Sequence, residues 1–188
     1  MKKIVIFASG NGTNALALIK KAKTLASKII IKGIICDNPK AGIIAKAKEN
    51  GVDCIVVVKK ATKSEHEQAI LKILQDWEID WIFLAGYMRI LSPSFIQHFD
   101  HRIINIHPSM LPQFPGREAY QQAWKEKVPV SGISIHYVDE GVDTGEIIIQ
   151  EKFPRLPSDT FEIFKARGLE LEHKLYPKIL EWVADEKL

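Results

Sequence analysis

Lys3-Ile4-Val5-Ile6-Phe7-Ala8-Ser9-Gly10-Asn11-Gly12-Thr13-Asn14-Ala15-Leu16 is the stretch that decides the fold. Lys3–Ala8 is a compact apolar, β-rich run, the pattern of a strand buried on both faces. Ser9–Asn14 is a polar turn with two glycines. From Ala15 to Leu25 the apolar residues Leu16, Ile19 and Ala22 recur at helical spacing. A buried strand passing through a glycine turn into a helix is the opening unit of a parallel α/β sheet.

The same alternation continues outward. Ile29–Cys36 reads as a second strand with Asp37-Asn38-Pro39 as its turn, and Gly42–Asn50 as a short helix closed by Gly51 at C′. Asp53–Val58 is a third strand. Ser64-Glu65-His66-Glu67 is a capping box that opens a helix running to Trp77. Asp80–Leu84 is a fourth strand, and Ser92-Pro93 supplies an N-cap and first turn for another helix. Ile103–His107 is a fifth strand, followed by a proline-rich loop and a helix near Glu118–Lys125. Gly132–Val138 and Glu146–Phe153 are strands around a turn, expected to pair antiparallel because their connection is short. A long helical stretch from about Asp159 to Ala184 closes the chain, with Pro177 as the place where it would be interrupted. The fold class is α/β: a doubly wound, mostly parallel open sheet of about seven strands with helices on both faces. Without repeats, low-complexity tracts or linkers, residues 1–188 read as a single domain.

Composition narrows the function classes. At 188 residues, 46% apolar and 26% charged, the chain matches an ordinary soluble globular protein. A net charge of +3 with scattered lysines does not argue for nucleic acid. Cys36 and Cys54 sit in apolar contexts without CxxC spacing, as buried thiols of a reducing compartment do. The apolar run after the N-terminal lysines is about five residues, short of a signal-peptide core. No stretch approaches the roughly 18 apolar residues of a membrane span. A cytoplasmic enzyme with no membrane and no nucleic-acid partner is the expectation.

Two ligands compete for the glycine loop. Its free helix N-terminal N–H groups and its glycines suit a phosphate, with Ser9, Thr13 and Asn14 adding side-chain hydrogen bonds. Yet Gly10-x-Gly12-x-x-Ala15 also matches the dinucleotide fingerprint, and Asp37 ends the second strand where a ribose-binding acid would sit. A nicotinamide dehydrogenase and a non-catalytic nucleotide module both remain open on the loop alone.

Asn105-Ile106-His107-Pro108-Ser109, with Asp143-Thr144-Gly145 further along, offers three tools for one carbonyl. An amide donates to an oxygen that gains charge, an imidazole moves a proton, and a carboxylate orients the imidazole. Asn105 and His107 lie two apart on a strand and so emerge on one face. The loop Pro108–Gly116 (PSMLPQFPG) is rigid and apolar enough to wall a pocket. Asp139, Glu140 and Asp143 also fit a merely solvated turn. His136 alternates with Ser134 and Val138, which favours a structural role. A metal held by His107, Asp143 and His136 finds no HxH or HExxH spacing to support it. Ser109 lacks the GxSxG context of a hydrolase nucleophile.

Taken together, SGNGTN, LAGYMRILS, NIHPSMLPQFPG, GISIHYVDEGVDTGEIIIQ and Glu172-His173-Lys174-Leu175-Tyr176-Pro177 closely resemble the phosphoribosylglycinamide formyltransferases, folate-dependent enzymes with a Rossmann-like sheet. The resemblance runs from Lys3 to about Ala184. Tyr87 and Met110 stand where members often carry Phe and Leu, changes that keep the apolar character. The resemblance implies transfer of a formyl group from 10-formyltetrahydrofolate to the amine of glycinamide ribonucleotide in purine synthesis. It implies Asn105, His107 and Asp143 as catalytic residues, and no metal. Gly10, Asn11, Gly12, Thr13, Asn14 and Glu172 would bind the ribonucleotide. Lys63, Met88, Arg89, Ile90, Leu91, Asn105, Val138, Asp139, Glu140, Gly141, Val142 and Asp143 would form the folate pocket, with Lys63 serving the folate tail. The ribonucleotide phosphate would thus fall to the N-terminal half, and folate and chemistry to the C-terminal half. A monomer or homodimer is expected. A methionyl-tRNA formyltransferase is the nearest alternative, but it typically carries a further domain and needs a basic surface.

Overall fold

In the computed structural model, which describes residues 1–188, seven strands form one sheet in the order β3-β2-β1-β4-β5-β6-β7. The strands are β1 (Lys2–Ala8), β2 (Ile29–Cys36), β3 (Cys54–Val56), β4 (Trp81–Leu84), β5 (Ile103–His107), β6 (Val130–Tyr137) and β7 (Ile147–Pro154). The first five run parallel, whereas β6 is antiparallel to both of its neighbours. The mostly parallel, doubly wound sheet expected from the sequence is present. The chain starts at the centre, steps outward to β3 and crosses back to β4. Such a reversal opens a crevice beyond the carboxyl ends of the two central strands. There the loop after β1 meets the turn after β4: Ser9 N–H donates to the Gly86 carbonyl at 3.2 Å, and Met88 N–H to Ser9 Oγ at 2.9 Å.

The helices are α1 (Thr13–Thr24), α2 (Ile43–Glu49), α3 (Lys63–Asp76), α4 (Pro93–Gln97), α5 (Ala119–Lys125) and α6 (Phe161–Ala184). Buried side chains of α1, α2, α5 and α6 pack with Ile4, Ile6, Ile104, Ile106, Ile133 and Ile135 into one core. On the other face α3 and α4 pack with Val5, Phe7, Ile82, Leu84 and Ile103 into a second. The period of two along each strand assigns these faces. It also places Asn105 and His107 of β5, with Ser134 and His136 of β6, on the second face. No residue of β6 or β7 belongs to that second core. Loops, not a helix, close over the polar stripe.

Three local expectations differ from the structure. The capping box of α3 uses Thr62 and Glu65, not Ser64 and Glu67: Thr62 Oγ1 accepts from Glu65 N–H, and Glu65 Oε2 accepts from Thr62 N–H, both at 3.1 Å. Glu67 is unavailable because its carboxylate turns inward and holds the Ser92 N–H and hydroxyl. The third strand is shorter than 53–58, pairing only over Cys54–Val56 at the sheet edge. Helix α6 passes through Pro177 without a break. A proline in a helix interior costs about 3 kcal/mol. Burial of Leu175, Tyr176, Ile179, Leu180 and Val183 on both sides of it, at about 1.5–3 kcal/mol each for the aliphatic ones, outweighs that cost. Tyr176 also reaches the sheet, its hydroxyl lying 2.9 Å from the Leu84 carbonyl and 3.0 Å from that of Ile104.

Candidate active site

β5 delivers Asn105 and His107 to the second face, and the turn after β6 folds back to bring Asp143 against them. Asp143 is the hub. Its Oδ1 accepts from Asn105 Nδ2 at 3.2 Å and lies 3.5 Å from His136 Nε2. Its Oδ2 accepts the Gly116 N–H at 2.7 Å and lies 3.3 Å from His107 Nδ1. The side chain is 12% exposed. Burial by itself pushes a carboxyl up. Here the hydrogen bonds from His136 and Gly116, with the charge of His107 and His136, more than offset that and hold Asp143 below its ordinary value. Its backbone sits at φ 55°, a left-handed conformation that Asp tolerates better than most residues.

The proline-rich loop contributes through its backbone as well as its apolar side chains. Phe114 is held at φ 52°, which a bulky residue rarely adopts, and its carbonyl lies 2.8 Å from His107 Nε2. Both ring nitrogens of His107 thus face acceptors, so the doubly protonated ring is the one form that donates to both. His107 is 4% exposed. Asn105 Nδ2 donates to Asp143 Oδ1 at 3.2 Å and lies 3.3 Å from His136 Nε2, which accepts from it only when that ring nitrogen carries no proton. Donation to a developing oxyanion exchanges one of these partners. Ser109 is fully buried and donates to the Gln113 carbonyl at 2.5 Å, while its own carbonyl accepts from Ser134. It is a structural residue of the loop.

Strand alternation favours a structural role for His136, and the structure sets it in direct contact with Asn105 and beside Asp143. Strand alternation gave its face correctly; what the sequence lacks is the register that pairs Asn105 with His136. The antiparallel pairing sets that register.

The glycine loop is shaped by its neighbours. Gly12 has φ 71° and lies against Ile43, where a Cβ would stand 2.6 Å from the Ile43 Cβ, so only glycine fits. Lys46 of α2, which no sequence pattern singled out, donates from Nζ to the Asn11 carbonyl at 2.5 Å and to Asn11 Oδ1 at 2.9 Å. It adds a cation to a loop that has none of its own. Asn14 Nδ2 donates to Glu172 of α6, so the residues expected at the ribonucleotide come from both ends of the chain. Asp37, the acid of the dinucleotide reading, is 10% exposed and paired with Arg89 at 2.7 Å. A ribose would have to displace that arginine.

A cavity of about 360 Å³ beside the crevice is lined by Lys59, Lys60, Lys63, Met88, Arg89, Ile90 and Leu91 among others. Five of the residues expected around folate therefore share one wall, with three lysines at it. Neither Asn105, His107 and Asp143 nor Val138–Val142 line this cavity. The latter form the loop above β5 and β6, in which Asp139 Oδ1 accepts from Gly141 N–H at 3.1 Å and Thr144 Oγ1 at 2.7 Å.

The sequence profile of the formyl transferase family matches residues 2–180. A phosphoribosylglycinamide formyltransferase of Bacillus subtilis is 41% identical, covering 96% of this chain and 94% of that protein. Among solved structures, a phosphoribosylglycinamide formyltransferase from Brucella melitensis superposes with a TM-score of 0.91 at 42% identity, over 97% of this chain and 95% of that one. Glycinamide ribonucleotide transformylase 1 from Symbiobacterium toebii superposes with a TM-score of 0.94 at 35% identity, over 99% and 89%. These matches run nearly end to end, and the chain belongs to the formyl transferase family.

Proposed function

We propose that the chain is a phosphoribosylglycinamide formyltransferase, moving the formyl group of 10-formyltetrahydrofolate to the amine of glycinamide ribonucleotide. The products are N-formylglycinamide ribonucleotide and tetrahydrofolate, and the step belongs to purine biosynthesis. The observation that carries the reading is the clustering of an amide and an imidazole on a helix-free stripe of the sheet with a carboxylate from the loop above it. The neutral amine attacks the formyl carbon, and the carbonyl oxygen becomes an oxyanion. The His107 ring and an amide hydrogen of Asn105 stabilise it; one such donor is typically worth about 2.7–4 kcal/mol. Asp143 orients the His107 ring through its 3.3 Å contact with Nδ1 and accepts the amine proton on its way to the folate nitrogen. The bond from the formyl carbon to that nitrogen then breaks.

Gly10, Asn11, Gly12, Thr13 and Asn14 hold the ribonucleotide, with Glu172 behind them. Lys63 and Met88–Leu91 receive the folate, and Val138–Val142 close over it. Both substrates are small molecules. The accompanying reading is a single domain working in the cytoplasm as a monomer or homodimer; no helix is long and apolar enough to cross a membrane. The test is absorbance of deformylated folate with glycinamide ribonucleotide present and omitted. Product only in its presence is expected, and equal release without the acceptor would make the chain a hydrolase instead. Thr13→Ala with Asn14→Ala should raise KM for the ribonucleotide and spare folate; equal weakening of both would refute the loop assignment.

A further inference from the structure

Glu172 is the one acidic residue of α6 that is buried, at 5% exposure, and neither of its oxygens is free. Oε1 accepts from the Tyr120 hydroxyl of α5, and Oε2 accepts from Asn14 Nδ2 in the glycine loop. Asn14 Oδ1 is buried with no hydrogen-bond partner. The bond to Glu172 is therefore what fixes which way the Asn14 amide faces, since the reverse orientation would set an oxygen against a carboxylate.

The reach of Tyr120 depends on a glycine. Gly168 lies one turn before Glu172 on the same face of α6. A Cβ there would stand 2.5 Å from the Tyr120 hydroxyl oxygen and 2.8 Å from Cζ. A glycine in a helix interior costs about 1 kcal/mol relative to alanine. Here it opens the groove along which the phenol runs, 6% exposed, with its ring edge-on to Phe164 at 6.2 Å.

We propose that Tyr120 is a positioning residue for ribonucleotide binding: through Glu172 it holds the side chain of Asn14, and Gly168 makes room for it to do so. The proposal rests on the glycine loop being the ribonucleotide site. Without the phenol, Oε1 of a buried carboxylate loses its donor. Glu172 then turns toward another donor or takes a proton, and either change loosens its hold on Asn14.

Tyr120 from α5 and Asn14 from α1 bond to Glu172, and the charges of His107 on β5 and of the chain neighbour His173 also act on it. Burial raises the Glu172 carboxyl, while the bonds from Tyr120 and Asn14 and the charge of the two histidines pull it down again in part. Removing the Tyr120 bond therefore raises it further. Ionised Glu172 is then lost at a higher pH as the solution is acidified.

Three variants test this in steady-state kinetics with both substrates. Tyr120→Phe keeps the ring and its packing. It should raise KM for the ribonucleotide about tenfold, leave kcat and the folate KM within about twofold, and move the acid-side rise of that ribonucleotide KM to higher pH. Gly168→Ala should act on the same KM by displacing the phenol, and adding it to Tyr120→Phe should change that KM little further. Asn14→Ala reports on the site itself. If Asn14→Ala raises the ribonucleotide KM while Tyr120→Phe leaves both KM and its pH dependence unchanged, the positioning role is overturned and the loop assignment stands. If Asn14→Ala has no effect on that KM, the loop assignment fails and the role of Tyr120 falls with it. Additive effects of Tyr120→Phe and Gly168→Ala also overturn the proposal. Should Tyr120→Phe fail to fold, the ribonucleotide KM of Gly168→Ala decides alone: no rise overturns it.

Discussion

Replacing Asp143 by Asn changes one atom and removes one charge, so its effect can be worked from the contacts. Asn has one carbonyl oxygen for the two sets of partners that Asp143 now serves. Turning the new amide nitrogen toward Gly116 would set two donors 2.7 Å apart. The carbonyl therefore stays with Gly116 and His107, and the nitrogen faces Asn105, whose own Nδ2 lies 3.2 Å away. Asn105 loses an acceptor, and His107 loses the negative charge opposite Nδ1. A hydrogen bond to a charged group is worth about 1.5–3 kcal/mol. One lost outright and a second weakened amount to about 3–5 kcal/mol at the transition state, or a fall in kcat of roughly a hundred- to several-thousandfold. Saturating kinetics of Asp143→Asn, His107→Asn and the double variant measure this directly. Because the two residues act as a unit, the double variant should fall little below the worse single one. A loss under tenfold, a loss confined to KM, or fully additive losses would refute the coupled pair.

Lys63→Ala should raise KM for the folate co-substrate several-fold while sparing the ribonucleotide KM, since Lys63 stands on the wall shared with Met88–Leu91; an effect on the ribonucleotide alone would reassign it. Dialysis against EDTA should leave the rate unchanged, and a loss that zinc restores would revive a metal between His107, His136 and Asp143. The folded-state carboxyl of Asp143 lies below its ordinary 3.8, so its ionised form stabilises the fold. That contribution is fully present above the unfolded value and disappears as pH falls through the folded one. Thermal midpoints should then drop more steeply between about pH 5 and pH 3 for the native chain than for Asp143→Asn, and parallel curves would contradict the shift.

Much of the frame was legible because each strand in the parallel half carries its own apolar run between turn residues. Boundaries were less legible where two signals overlap. Thr62-Lys63-Ser64-Glu65 and Ser64-Glu65-His66-Glu67 both read as capping boxes, and the choice is made by Ser92, some distance along the chain, which claims Glu67. Pro177 is a helix breaker by local rule and is overruled by packing on either side of it. Within the candidate site, the motifs pointed to Asn105, His107, Asp143 and the glycine loop. They did not point to His136, Lys46 or Tyr120. Each of these reaches its partner only through a pairing register or a helix packing that no short motif encodes. Glu172 was placed by resemblance alone; its burial between Tyr120 and Asn14 is visible only in three dimensions.

The reversal of β6 bears on how such a molecule diverges. A parallel strand beyond β5 would require a crossover, usually helical, for each further step of the sheet. Such a helix on the second face would sit over Asn105, His107 and His136. A hairpin instead joins β6 to β7, and residues 138–146 between them form a loop from which Asp143 turns inward. Loops accept insertions and changes of sequence far more readily than packed helices do. A change of length or sequence in this roof therefore alters what enters the stripe without disturbing the pairing of the seven strands beneath.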